Sequence, residues 1–249
     1  MRRLPIYLVI DTSYSMSGEP IVAVRNGIQS LLVALRQDPY ALETAFISVI
    51  TFSTEAKQVV SLRDVVSFQE PDIEADGTTA LGSALDLLSD KLTNEVNIKS
   101  VDGKKGDWRP LVFLMTDGNP TDDWEKSLPK FKEMQTGIVV ACAVGHSVDM
   151  DVLKSITDNV VQIDESDSSA FAAFFKWVSD SIKTTSQKVD LTKKDSVMDM
   201  VEPGNPDGSE IIARLTDKDD PMPPEGKGEM LSSDDISKVK AWIAAGGKF

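Results

Sequence analysis

The chain has one cysteine and one histidine in 249 residues. Cys142 has no partner for an internal disulfide and sits in the apolar run Ile138–Val144, where a buried, inert thiol is expected. Basic residues are also scarce, with 26 Lys and Arg against 40 Asp and Glu, a formal charge of -14. Such a charge repels a phosphate backbone, so no nucleic acid is expected as a partner. The same acidity suits collection of a cation or docking of a basic surface. No long hydrophobic run is present. After Arg2 and Arg3 the apolar stretch Ile6–Ile10 ends at Asp11, too short for a signal peptide or a membrane span. No membrane attachment is expected, and a cytoplasmic, reducing compartment fits best.

Two further absences bear on chemistry. The phosphate-cradling motif Gly-x-x-x-x-Gly-Lys-Ser/Thr is missing, which argues against nucleotide hydrolysis of that type. His146 falls in the loop Gly145–Asp149, and no serine or cysteine nucleophile pairs with it, so a catalytic triad lacks support.

What is present is the composition of an ordinary packed protein, 41% hydrophobic, in a length that suits one good-sized core and a smaller appendage. Pro5–Ile10, Phe46–Phe52, Leu111–Met115, Ile138–Val144 and Val160–Ile163 are short apolar runs that read as buried parallel strands, and Gln58–Leu62 is a weaker strand suited to an edge. Between them Ile21, Val24, Ile28, Leu31, Leu32 and Leu35 share one helical stripe, as do Leu81, Ala84, Leu85, Leu88 and Leu92. A third helix is expected from near Asp122, kinked at Pro129, with shorter ones at 150–156 and 168–182. Strands alternating with helices predict an α/β fold, a doubly wound, mostly parallel Rossmann-like sheet with helices on both faces. Thr93–Arg109 is polar and carries Lys99, Lys104, Lys105 and Arg109, so an exposed loop is expected there, with docking of acidic partners as its second reading.

From Ser186 the composition turns polar, and Glu202–Gly208 supplies prolines and glycines. The boundaries predicted are a main domain over 1–185, a linker over 186–208 and a small helical tail over 209–249. The tail should hold a short helix near Glu210–Leu215, a proline-rich loop over 219–228, and a last helix capped by Ser232 or Ser233 and stopped before Gly246.

Three polar clusters fall at element ends. Asp11-Thr12-Ser13-Tyr14-Ser15 follows the first strand, Asp76-Gly77-Thr78-Thr79 precedes a helix, and Thr116-Asp117-Gly118 follows the strand 111–115. One cluster alone reads as a helix cap. Three at the carboxyl rim of an open sheet, where ligands bind, point to a site. Asp11 and Asp117 on neighbouring strands would place two carboxylates together, a costly arrangement without a cation. Hydroxyls and carboxylates without thiolate or imidazole suit a hard divalent ion, Mg2+ first, then Mn2+ or Ca2+. Three hydroxyl ligands, with carboxylates acting through water, leave one position for a partner's carboxylate.

The Asp-x-Ser-x-Ser, distant Thr and distant Asp set resembles the metal-ion-dependent adhesion site of von Willebrand factor A domains, with Asp11, Ser13, Ser15, Thr79 and Asp117 at its positions over roughly Met1–Thr185. Arg2-Arg3-Leu4-Pro5-Ile6-Tyr7, Gly18-Glu19-Pro20-Ile21, Asp38-Pro39, Ser48-Val49-Ile50-Thr51-Phe52 and the run Thr116 to Trp124 look like the bacterial tellurium-resistance-associated, TerY-like branch. The resemblance implies a metal-dependent protein-interaction module, not an enzyme, associated with a protein kinase and phosphatase in stress or phage defence. Tyr14 and Thr78 stand where that pattern has glycine. If Thr78 rather than Thr79 points inward, the threonine ligand shifts by one, although the spacing to Gly82 favours Thr79. Tyr14, Glu19 and Trp124 are candidates to border the contact surface.

An aspartyl phosphotransferase acting through Asp11 with Mg2+ is the rival reading. It wants an aspartate two residues on, where Ser13 stands. The tail segments 203–210, 214–216, 220–224 and 236–246 resemble the C-terminal half of planctomycete-type cytochrome c domains, with Met222 at the place of an axial haem ligand. Cys-x-x-Cys-His is absent, so covalent haem attachment is excluded. A haemless remnant or recognition tag is expected, with accessory electron transfer as the lesser alternative.

Overall fold

The computed structural model describes residues 2–98, 106–164, 167–186, 201–216 and 231–247. The chain divides into two compact units, Met1–Gln187 and Lys188–Phe249.

The first unit is built on β1 (Leu4–Asp11), β2 (Ala45–Phe52), β3 (Ala56–Asp64), β4 (Leu111–Thr116), β5 (Val139–Val144) and β6 (Val160–Ile163). Their order across the sheet is β3-β2-β1-β4-β5-β6, with β3 antiparallel to β2 and every other pair parallel. All residues of β1 are buried because both faces of a central parallel strand are covered. Leu4, Ile6, Leu8 and Ile10 point into one core and Tyr7 and Val9 into the other, as the two-residue period of a strand requires. Gln58–Leu62 does lie in the edge strand β3, which extends further at both ends than its sequence suggests.

On the first face lie α1 (Glu19–Arg36), α2 (Pro39–Thr44) and α6 (Ser168–Ser186); on the second lie α3 (Leu81–Glu95), α4 (Trp124–Lys132) and α5 (Met150–Ile156). Both expected helical stripes are buried. The short helix α2 is not visible as a stripe. Its signal is local: the Asp38 carboxylate accepts the backbone N–H groups of Tyr40 and Ala41 at 3.0 and 2.8 Å, and Pro39 occupies the first turn.

Thr93–Arg109 departs from a free loop. Thr93 to Glu95 finish α3, and Asp107 is 6% exposed. Arg3 donates to both Asp107 oxygens, at 2.8 and 2.5 Å, and Asn97 N–H donates to the same carboxylate at 2.9 Å. A two-pronged guanidinium pair of this kind fixes geometry as well as charge, and here it ties the start of β1 to the segment after α3. Lys99, Lys104 and Lys105 lie outside the described residues.

Cys142 is fully buried on β5, and burial pushes its thiol up to about 12. A thiol that stays protonated and covered is a poor nucleophile. Ellman's reagent at pH 8 should leave the native protein unmodified for hours and titrate one thiol per chain within minutes in guanidinium. Prompt native labelling would show that the sheet opens at β5.

In the second unit, α7 (Glu210–Thr216) and α8 (Ser233–Ala244) gather a small core of Val201, Ile211, Ile212, Leu215 and Ile243. Ser232 caps α8, its hydroxyl accepting Asp235 N–H at 3.1 Å. The end of the expected linker is packed rather than free. Val201 is buried, Glu202 N–H donates to Ser209 Oγ at 2.8 Å, and Gly204 N–H donates to the Ile243 carbonyl at 2.8 Å. The proline-rich loop with Met222 lies outside the described residues. Among the described residues no helix is long and apolar enough to cross a membrane.

Candidate metal centre

β1 and β4 lie side by side at the centre of the sheet, and the strands that follow β1 in sequence fall on its other side. This reversal of strand order opens a crevice at the carboxyl ends, where side chains from separate loops can converge. Ile10 is level with Met115, so Asp11 at the end of β1 stands opposite Thr116 at the end of β4.

Asp11 is fully buried. One carboxylate oxygen accepts Ser13 N–H at 2.8 Å and the other accepts the Thr116 hydroxyl. Burial pushes its pKa from the ordinary 3.8 up to about 6; the hydrogen bonds from Thr116 and Ser13 pull it down, and the charge of Asp117 raises it slightly. Burial disfavours the charged form of this carboxylate, and a cation beside it would offset that cost.

The hydroxyls continue outward from this base. Ser13 Oγ lies 3.0 Å from Ser15 Oγ, and the Ser15 hydroxyl donates to Asp117 Oδ1 at 2.7 Å. Ser13 and Asp117 are buried and Ser15 between them is exposed, so the row meets solvent at its middle member. Thr79 is buried and Thr78 exposed, which resolves the choice between them for the inward position. A Cβ built on Gly118 would sit 3.1 Å from Thr79 Oγ1 and 3.8 Å from Ser15 Oγ. Both hydroxyls therefore lie against Gly118, where a side chain would crowd Thr79. All five predicted residues gather at one rim.

The loops that carry them are stitched by backbone. Tyr14 N–H donates to the Gly77 carbonyl at 3.0 Å and Asp76 N–H to the Thr12 carbonyl at 2.8 Å. Gly77 has φ +81°, and a Cβ there would meet Thr54 Oγ1 at 2.4 Å, so only glycine fits this crossing. Thr79 and Thr121 exchange hydrogen bonds: Thr79 N–H to Thr121 Oγ1 at 3.1 Å, and Thr121 N–H to the Thr79 carbonyl at 2.9 Å.

Three supporting residues escaped the sequence reading. Thr116, which holds Asp11, stands in a cluster already marked by its neighbour Asp117. Thr121 and Asp122 fall in a stretch that reads as the start of a helix, yet α4 begins only at Trp124. Of the suggested border residues, Tyr14 is 73% exposed and Glu19 is exposed, while Trp124 is half-buried and packs on the core between α3 and α4. His146 is exposed on the loop after β5, its Nδ1 3.0 Å from Gln162 Nε2.

The donor set, two carboxylates and three hydroxyls, fits a hard divalent cation. Among the described residues no three His, Cys, Asp or Glu side chains come together as a metal site. A cation held by Asp11 and Asp117 would therefore draw its further oxygens from the hydroxyls or from water.

An open parallel sheet with hydroxyl and carboxylate donors at its switch point defines a class of α/β binding domains. Within it the chain belongs to the von Willebrand factor type A domain family, whose profile matches residues 6–187. Solved structures share the fold. A von Willebrand factor type A protein from Catenulispora acidiphila is 16% identical, with a TM-score of 0.56 over 74% of this chain and 43% of that one. The open conformation of the pilus adhesin SpaC from Lactobacillus rhamnosus GG gives 0.60 at 16% identity, over 74% and 30%. Proximal thread matrix protein 1 from the mussel byssus, with a zinc-occupied MIDAS motif, gives 0.51 at 19% identity, over 74% and 46%. The chain thus spans less than half the length of these three structures. No curated protein matches the sequence closely enough to count as a relative.

Proposed function

We propose that the first unit is a metal-dependent protein-binding module in which Asp11, Ser13, Ser15, Thr79 and Asp117 hold a divalent cation that takes a carboxylate from a protein partner. The observation that carries this reading is the continuous row Ser13, Ser15, Asp117, which begins over buried Asp11 and reaches solvent at Ser15 beside exposed Tyr14. The cation would supply a concentrated positive charge among these donors. The protein's part is to fix the donors. Asp11 brings charge from the interior, kept in place by Ser13 N–H and the Thr116 hydroxyl. Ser13, Ser15 and Thr79 offer neutral oxygens, so they add no negative charge beyond that of the two carboxylates, and a vacant position on the ion would accept an acidic partner. Tyr14 offers the partner an exposed aromatic face, the kind of residue enriched at protein interfaces.

Mg2+ is the first choice for an all-oxygen set, with Mn2+ and Ca2+ next. Zinc in the byssus protein's site argues for testing that ion as well. A nucleophilic role for Asp11 is less well supported than binding, because the aspartate that a phosphotransferase wants two residues on is replaced by Ser13. The module is read as non-enzymatic and intracellular. The similarity of its motifs to the tellurium-resistance-associated branch suggests a bacterial stress or defence system, with a kinase or phosphatase among the candidate partners. The second unit is read as a haemless recognition segment.

The test is a pull-down from the native cell with wild-type protein and Asp11→Ala, each in Mg2+ and in chelator. One partner should be retained by the wild type in Mg2+ and lost in the other arms. Equal capture in all arms overturns the reading.

A further inference from the structure

The first turn of α3 has no cap from its own sequence neighbours. Ala80 stands at the cap position and contributes no side-chain bond. The N–H groups of Gly82 and Ser83 donate instead to the two oxygens of Asp122, at 3.0 and 2.9 Å, from a loop 40 and 39 residues further along the chain. A carboxylate at a helix start satisfies orphan donors and complements the partial positive charge there. Gly82 makes the approach feasible, because a Cβ on it would lie 2.8 Å from Trp124 Cα and 3.0 Å from the Asp122 carboxylate.

This cap sits between two proposed metal ligands. Thr79 immediately precedes the capped turn, and Asp117 begins the loop on which Asp122 lies. The Thr79–Thr121 exchange joins the same two segments at Thr79 itself. The position of Thr79 Oγ1 over Gly118 is therefore tied to the β4–α4 loop as well as to the loops that hold residues 76–80.

We propose that Asp122 is a positioning residue for the metal centre: by capping α3 from the loop that carries Asp117, it holds the Thr79 hydroxyl and the Asp117 carboxylate at a fixed separation. The inference rests on the metal-binding reading above and goes beyond it, since Asp122 touches no ligand position itself. Groups that orient metal ligands from behind change affinity by about 10- to 100-fold when removed.

The experiment measures Mn2+ binding to the full chain by the loss of the free-ion paramagnetic resonance signal, for wild type, Asp122→Ala, Asp122→Asn and Leu92→Ala. Leu92 is buried at the far end of α3 and serves as the stability control. Asp122→Ala should bind Mn2+ about tenfold or more weakly. Asp122→Asn should fall between it and wild type, because the amide keeps one acceptor oxygen and turns a donor toward the other N–H. Leu92→Ala should lower the melting temperature and keep wild-type affinity. Should Asp122→Ala fail to fold, the Asn variant against Leu92→Ala carries the comparison. Unchanged affinity in the Asp122 variants, or an equal loss in Leu92→Ala, overturns the positioning role. A wild type that takes up no Mn2+, Mg2+ or Zn2+ overturns the metal reading instead, and the inference with it.

Discussion

Asp11→Asn should abolish stabilisation by divalent metal and, in chelator at neutral pH, make the protein more stable than wild type. The two effects have opposite signs and one cause. In the wild type a carboxylate with no exposed surface sits near Asp117, and burial has pushed its pKa up to about 6. Above that pH the folded, metal-free protein carries a charge that the unfolded chain would solvate freely. A folded pKa raised above the unfolded value means a penalty fully present above about pH 6, relieved as pH falls toward 4. The shift of about two units bounds the penalty at roughly 3 kcal/mol. Asparagine keeps an acceptor for Ser13 N–H, and the Thr116 hydroxyl can turn to accept from the new amide. In chelator the variant should therefore melt several degrees above wild type at pH 7.5, at about 2–4 °C per kcal/mol for a chain of this size, and the gap should close near pH 4. With metal at a hundred times its dissociation constant the wild type should gain about 2.7 kcal/mol and the variant nothing. A variant less stable than wild type in chelator at pH 7.5 would mean that Asp11 is a structural hydrogen-bonding group first.

Gly27→Ala should cost more stability than any single surface change, because it strikes the contact between α1 and α6. A Cβ on Gly27 would lie 2.0, 2.3 and 2.6 Å from three ring atoms of Phe175, a side chain that is 1% exposed. The clash is with the body of an aromatic ring whose other face is enclosed, so relief requires the helices to part or the ring to leave its rotamer. Overpacking of this kind costs about 3 kcal/mol, or a fall of roughly 6–12 °C in melting temperature. The conservative direction of the substitution makes the test sharp: alanine is the better helix former and would stabilise an isolated α1. Phe175→Leu opens space and should rescue part of the loss, so that the double variant is more stable than the sum of the singles by about 1–2 kcal/mol. Additive losses would place the damage elsewhere in α1. Neither substitution touches the rim, and metal binding should persist in both below their melting temperatures.

The parts of the fold readable in the sequence are those governed by short-range periodicity. The buried strands, the stripes of α1 and α3 and the cap of α8 follow from side-chain spacing and local hydrogen bonding. The candidate rim residues were readable for a related reason. Asp11, Ser13 and Ser15 lie within five residues on one turn, and Asp117 directly follows a strand, so knowing where strands end locates them.

Sequence alone thus determined the α/β class, the five oxygen-bearing residues and the inert setting of Cys142, because each depends on alternation or on the end of one element. Tertiary structure decided which of Thr78 and Thr79 is buried against Gly118, that Asp122 caps α3 rather than starting α4, that Asp107 is clamped by Arg3, and that Gly27 must lack a side chain. Each of those outcomes depends on atoms separated by 39 or more residues in the chain. A contact across such a span leaves no period in the sequence, and only the packed sheet brings its two halves within hydrogen-bonding reach.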